Sequence, residues 1–167
     1  MKARGNLSTM PLCEWVALLC LIGICFAVAG AGSLLTVSSL DNWYETLRKP
    51  AWTPPNWIFG PVWSVLYLSM AIAAWLVWRE HRAVNVRVPL GVFFIQLVLN
   101  GIWSGLFFAL QSPQAAFFEI VVLWGMILAT LLCFWRVSAA AGWLLAPYLG
   151  WVTFAVALNF SIWRLNS

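Results

Sequence analysis

Charge is what this 167-residue chain has least of: 8% of its residues are Asp, Glu, Lys or Arg, while 63% are hydrophobic and the mean hydropathy is +0.90. Soluble domains carry roughly 25% charged residues, so this composition cannot dress a water-facing surface. Histidine is nearly absent as well: His81 stands alone, and a metal centre built from the usual ligand clusters has nothing to assemble from. Cys13, Cys20, Cys25 and Cys133 show no CxxC spacing and read as small apolar helix residues. No phosphate-cradling glycine loop, nucleophile elbow or pair of facing carboxylates occurs. Hydrolytic and metal-dependent chemistry are therefore not expected, and no cofactor is called for. The net charge of +4 is scattered over short loops, which argues against a nucleic-acid surface.

What is present is long uncharged runs. They extend from Trp15 to Leu40, Ile58 to Trp78, Val88 to Phe118, Ile120 to Trp135 and Val137 to Trp163, and about 20 apolar residues suffice to cross a bilayer as a helix. The third run is best ended at Gln111-Ser112-Pro113-Gln114, where a residue without an amide hydrogen sits among polar neighbours. The expected fold class is an all-α integral membrane protein, a single domain over 1–167, with five transmembrane helices near 15–38, 58–78, 88–110, 115–135 and 142–163. Lys2 and Arg4 ahead of an apolar run reaching Ala27-Val28-Ala29 also resemble a cleaved signal peptide. The run continues past that site to Leu40, long enough to span, which favours retention. Lys2, Arg4, Arg79, Arg82, Arg87 and Arg136 fall on one side of such a bundle and Arg48, Lys49 and Arg164 on the other. The positive-inside rule then puts the N-terminus in the cytoplasm, in what is expected to be a bacterial cell membrane.

Between the first two spans, residues 41–57 are too polar to cross and too aromatic for a plain tether. Pro50, Pro54 and Pro55 stiffen a segment that carries Trp43, Trp52 and Trp57. Trp57, beside a helix start, fits an aromatic belt at the headgroups; Trp52, between prolines, fits a lid over a pocket. In the third span Gln96, Asn100 and Trp103 share one face, and polar groups at that depth turn inward, either to bond another helix or to meet a ligand. In the fifth, Tyr148, Trp151, Ala155 and Leu158 form a stripe in which a small Ala155 beside large rings suits a flat guest or close helix packing. Glu119, one turn into the fourth span, is placed to snorkel outward. Gly101 and Gly105 form a GxxxG, with Ala109 one step on, which permits close contact within the chain or between chains.

These features occur in a fixed order. Trp43-Tyr44 is followed by Lys49-Pro50-Ala51-Trp52-Thr53-Pro54-Pro55, Gly60-Pro61-Val62-Trp63, Leu66-Tyr67 and Leu76-Val77-Trp78-Arg79-Glu80. Asn100-x-x-Trp103 with Phe107-Phe108, Pro147-Tyr148-Leu149-x-Trp151, Leu158-Asn159 and Trp163-Arg164 complete it. The series resembles the TspO/translocator protein family, the peripheral-type benzodiazepine receptors, across all five helices.

That resemblance implies a five-helix bundle, usually a homodimer, whose first loop closes a pocket for porphyrins and other tetrapyrroles, sterols, and isoquinoline or benzodiazepine ligands. Carried over by position, it assigns Trp52, Trp63, Asn100, Trp103, Trp151 and Ala155 to the pocket; Trp43, Gln96 and Tyr148 join them as ligand-binding candidates. Trp63 and Trp151 match tryptophans implicated in light- and oxygen-dependent breakdown of protoporphyrin IX by bacterial members, which makes them the catalytic candidates if degradation occurs. Transport, sensing and disposal of protoporphyrin IX are the activities it implies, with a noncatalytic membrane interaction subunit as the rival reading. The chain departs from the pattern in three respects. Phe160 replaces the tyrosine of the animal cholesterol motif, Ala115 replaces a pocket tryptophan, and Gly91 with Ile95 breaks the small-residue dimer motif of some members.

Overall fold

The computed structural model describes residues 11–167; Lys2 and Arg4, counted in the charge balance, lie outside them. Five helices follow in order: α1 (Leu12–Ser39), α2 (Asn56–Arg79), α3 (Arg87–Ser104), α4 (Pro113–Val137) and α5 (Ala139–Asn166). Each is long and apolar enough to cross a membrane, and the chain is an integral, multi-pass membrane protein. The helices close into a ring in the order α1, α2, α5, α4, α3.

With no water in the hydrocarbon, each polar group there must find its partner inside the protein. Thr36, Ser64, Thr130, Thr153 and Ser161 do so locally, each hydroxyl donating to the carbonyl four residues earlier at 2.7–2.9 Å. Helix contacts are set by small residues. Gly32 of α1 lies so close to α3 that a Cβ there would stand 3.1 Å from Ser104 Oγ, and one on Gly101 would meet Val28 of α1 at 3.6 Å. Half of the GxxxG is thus used within the chain, while Gly105 has open space around its Cα.

The two ends of the bundle differ. Toward the C-terminal end of α2, Ala71, Ala73, Ala74 and Val77 are fully buried, and side chains this short let neighbouring backbones close in. At the other end the same helix carries Phe59, Gly60, Trp63 and Ser64, none of them fully buried. Rings too large to interdigitate hold the helices apart, and the space between them is the cavity described below.

One helix end runs differently from the sequence expectation. The chain does not leave helix near residue 38: a π-helical turn, Leu40–Tyr44, carries it through Thr46. Trp43 and Tyr44 therefore belong to the helix and the connecting loop is only 47–55. Burial explains the extension, because Tyr44 packs on Phe107 and Phe108 and the Ser39 hydroxyl donates to the Phe108 carbonyl at 2.9 Å. A second π turn, Gly105–Ala109, ends α3, with Leu110 N–H reaching Gly105 O at 2.9 Å. Gln111 then takes φ 50, Ser112 caps α4 through Ala115 N–H at 3.4 Å, and Pro113 occupies the first turn, where its missing N–H costs nothing.

Ser138 alone separates α4 from α5. So tight a reversal requires Gly142, since a Cβ there would fall 2.6 Å from Trp135 Cε3 and 2.9 Å from Trp135 Cβ. Gly142→Ala should lower stability by about 1–3 kcal/mol, the scale of overpacking. The check is thermal unfolding in detergent, where Trp135→Ala combined with Gly142→Ala should recover most of the loss; equal Tm for Gly142→Ala and the parent would refute the contact.

Candidate ligand cavity

A cavity of about 530 Å³ lies between α1, α2, α3 and α5 at the end of the bundle where α2 begins, a volume within the usual range for small-molecule sites of roughly 300–1,000 Å³. Its walls are aromatic: Phe59 and Trp63 from α2, Trp103 and Phe107 from the α3 end, Trp151 from α5. Glycine, alanine and serine residues fill the gaps between the rings, Ala29, Gly30, Gly32 and Ser33 on α1, Gly60 and Ser64 on α2, Ser104 on α3 and Ala155 on α5.

Tyr67 and Asn100 also line the cavity, and behind them runs a directional chain of hydrogen bonds. Tyr67 O–H donates to Asn100 Oδ1 at 2.6 Å, Asn100 Nδ2 to Tyr148 Oη at 2.7 Å, and Tyr148 O–H to Gln96 Oε1 at 3.0 Å. Gln96 Nε2 ends it at the Met70 sulfur, 3.7 Å away. Three helices are joined by this chain. Its inner members, Gln96 and Tyr148, are 1% and 0% exposed and do not line the cavity; their polar atoms are spent on one another. Of the two uses open to the Gln96–Asn100–Trp103 face, Gln96 has the interhelical one.

Trp103 is fixed at both ends of its indole. It stacks on Phe107 with centroids 5.4 Å apart, and its N–H donates to Asn159 Oδ1 at 3.1 Å, while Asn159 Nδ2 reaches the Pro113 carbonyl at 2.8 Å. Trp63 leans on Tyr67 at 5.7 Å and Trp151 meets Phe59 edge-on at 5.8 Å. Among the described residues, nothing accepts the indole N–H of Trp63 or of Trp151, in contrast to Trp75, Trp103 and Trp124. Two donors therefore remain free on rings that face a cavity.

The remaining candidates lie elsewhere. Trp43 packs edge-on against Phe107 at 5.7 Å, behind the wall, and Trp52 is half-exposed with its ring against Phe154 at 5.6 Å. Neither lines the cavity; Trp57 does, although it is 73% exposed. The loop between α1 and α2 is held down by Asn166 near the C-terminus, whose side chain accepts from Arg48 N–H at 3.0 Å and donates to Arg48 O at 2.9 Å. Lys49 Nζ rests 4.2 Å above the ring of Tyr44, itself a lining residue. Glu119 does not reach outward as snorkelling would have it: both carboxylate oxygens are buried, without a hydrogen-bond partner among the described residues.

Sequence reasoning overlooked α1 altogether. The run Ala29-Gly30-Ala31-Gly32-Ser33 was legible as small residues, but the cleavage-site resemblance was the only use made of part of it. Phe59, Tyr67 and Asn159 were missed for another reason, since each acts through a partner on a different helix.

With this geometry in hand, likeness to known proteins becomes specific. The TspO/MBR family pattern matches residues 21–164. The chain belongs to that family. The tryptophan-rich protein TspO of Chlorobaculum tepidum is 49% identical over 149 residues, covering 87% of this chain and 92% of the relative. Protein CrtK of Rhodobacter capsulatus is 41% identical over 142 residues, 84% and 88% of the two chains. The human translocator protein is 40% identical over 127 residues, 75% of each.

The hydrogen-bond chain makes Tyr148 structural. Tyr148→Phe would strand Gln96 Oε1 and one Asn100 N–H in a dry interior and should cost about 1–3 kcal/mol, the penalty for an unsatisfied buried group. Tyr67→Phe should cost less, because water in the cavity can replace its hydroxyl. Denaturation of both variants in detergent tests the order; a greater loss for Tyr67→Phe would place the core of the network at the cavity instead.

Proposed function

We propose that this family member binds tetrapyrroles, chiefly protoporphyrin IX, in the cavity and acts in their transport, sensing or disposal. The observation that carries the reading is the pairing of aromatic walls with an amide and hydroxyl floor under a cationic loop. A porphyrin is a planar π system with two carboxylates at one edge. Its faces suit Trp63, Trp103 and Trp151. Its carboxylates suit Lys49, with Arg48 next to it in the tethered loop. Trp52 would act from outside the wall, by holding Phe154 against Trp151, and Trp57 would close the mouth. Sterols fit less well, because Phe160 offers no hydroxyl. The isoquinoline and benzodiazepine class is a second set of flat guests; Ala115, where the family resemblance put a pocket position, is exposed and outside the cavity lining.

A homodimer in a bacterial cell membrane with a cytoplasmic N-terminus belongs to the same proposal. The charge balance supports the orientation: Arg79, Arg82, Arg87 and Arg136 lie at the end away from the cavity mouth, Arg48, Lys49 and Arg164 at the mouth. A light-driven enzyme is the second reading, favoured by the presence of Trp63 and Trp151 on one cavity wall with their N–H groups unpaired. In it, excited porphyrin and molecular oxygen supply the oxidising chemistry, and the two indoles hold or donate electrons to the pigment.

Titration of purified protein with protoporphyrin IX in the dark, followed by illumination in air, tests these readings together. Saturable tryptophan quenching with a persistent Soret band is the expected result. Loss of the band that requires Trp151 would select the enzyme, and absence of quenching would select a noncatalytic interaction subunit.

Ala155→Leu adds about three methylenes' volume to the wall opposite the α1 small residues. Porphyrin affinity should fall roughly tenfold or more, about 1.4 kcal/mol per decade, with little change in Tm. Unchanged affinity in a folded Ala155→Leu protein would remove α5 from the binding surface.

A further inference from the structure

A second depression lies on the outside of the bundle, along the seam of α2 and α5. It is lined by Pro61, Val62, Val65 and Leu66 from one helix and Pro147, Gly150, Trp151 and Phe154 from the other. Every one of these side chains is apolar. Two short rigid proline rings and a glycine stand where longer side chains would have filled the seam. The strip from Pro147 to Phe154 rises about 10 Å along α5, the length of several methylenes of an acyl chain. Both helices are membrane spans, so what meets this face in a bilayer is hydrocarbon.

Trp151 belongs to both spaces. It lines the internal cavity and this external groove, and its ring–ring contacts are with Phe59 and Phe154 at 5.8 and 5.5 Å. Its indole is thus a partition one ring thick between the cavity and the lipid.

We propose that the α2–α5 groove is a binding site for a single acyl chain of a membrane lipid, which packs on the outer face of Trp151 and braces the cavity wall. Apart from the Trp151 indole N–H, the side chains of the groove carry no polar atom for a headgroup, so chain length and saturation, more than headgroup chemistry, set its selectivity. An empty groove would leave Trp151 free to lean outward and the cavity wall loose. The bracing half of this inference rests on the tetrapyrrole reading; the groove half does not.

Gly150→Leu separates the two halves. A Cβ at Gly150 meets nothing within 4 Å, and Gly150 lines the groove, so a leucine there starts unhindered and is expected to occupy it. The first measurement is tryptophan fluorescence in phosphatidylcholine bilayers with and without dibrominated acyl chains, the Trp151 share being taken as the difference from Trp151→Phe. That share should be quenched at least twofold in the parent and spared in Gly150→Leu. No quenching of Trp151 in the parent would overturn the site. If the parent is also a dimer that Gly150→Leu dissociates, the groove belongs to a second copy of the chain.

The second measurement is protoporphyrin IX affinity in delipidated amphipol and after phosphatidylcholine is added back. The parent should bind about tenfold more weakly without lipid, whereas Gly150→Leu should bind equally in both. An equal lipid dependence in the two proteins would overturn the bracing. Failure of the parent to bind porphyrin at all would overturn the tetrapyrrole reading and the bracing with it, while the quenching result would still decide the groove.

Discussion

The shortage of hydrogen-bond partners inside a bilayer governs this structure more than any other constraint. Asn100 carries its amide at membrane depth, where its Oδ1 accepts from Tyr67 of α2 and one of its N–H groups donates to Tyr148 of α5. Those bonds fix how α2, α3 and α5 stand relative to one another. Since Tyr67 and Asn100 line the cavity while Tyr148 and Gln96 lie behind it, the group that locks the bundle also sets the polar floor of the site. Close packing at small residues such as Gly32 and Gly101 brings α1 against α3, and the polar chain adds the registration of α2, α3 and α5.

Above this floor the bundle is held open by ring size. Ala71, Ala73 and Ala74 draw α2 into its neighbours at one end, and Phe59, Trp63, Trp103 and Trp151 keep the helices apart at the other. Trp103 is locked by Asn159 and Phe107, whereas among the described residues no hydrogen bond holds the indole of Trp63 or Trp151, so the cavity combines one rigid wall with two indoles freer to adapt. The loop between α1 and α2 is fastened at Arg48 by the Asn166 side chain. Release of that pair would free the loop without disturbing the network below, because the two share no residue.

Much of the architecture was legible because a bilayer imposes a simple rule on composition. Uncharged runs gave five spans with their order, and Gln111-Ser112-Pro113 marked the α3–α4 break where the helix cap is found. The same rule misplaced the end of α1, where Asp41 and Asn42 look like a loop in sequence but a buried Tyr44 carries the helix onward. For the cavity, Trp63, Asn100, Trp103, Trp151 and Ala155 were named from pattern and family resemblance, and these five do share one space. Gln96 and Tyr148 lie on the same helical faces as cavity residues, and periodicity could not tell a side chain that meets a void from one that meets another side chain.

The sequence by itself determined the solvent this protein lives in, the number of its spans and the family to which its ordered tryptophans and prolines point, because each of these follows from local composition and spacing. Only the tertiary structure decided which aromatic rings face an empty volume, that small residues of α1 complete it, and that Trp151 borders both that volume and the groove outside it. Those outcomes depend on contacts between residues far apart in the chain, whose relative depth and rotation are set by hydrogen bonds such as Asn100 to Tyr148 and by close approaches such as Gly32 to Ser104. No run of neighbouring residues encodes them.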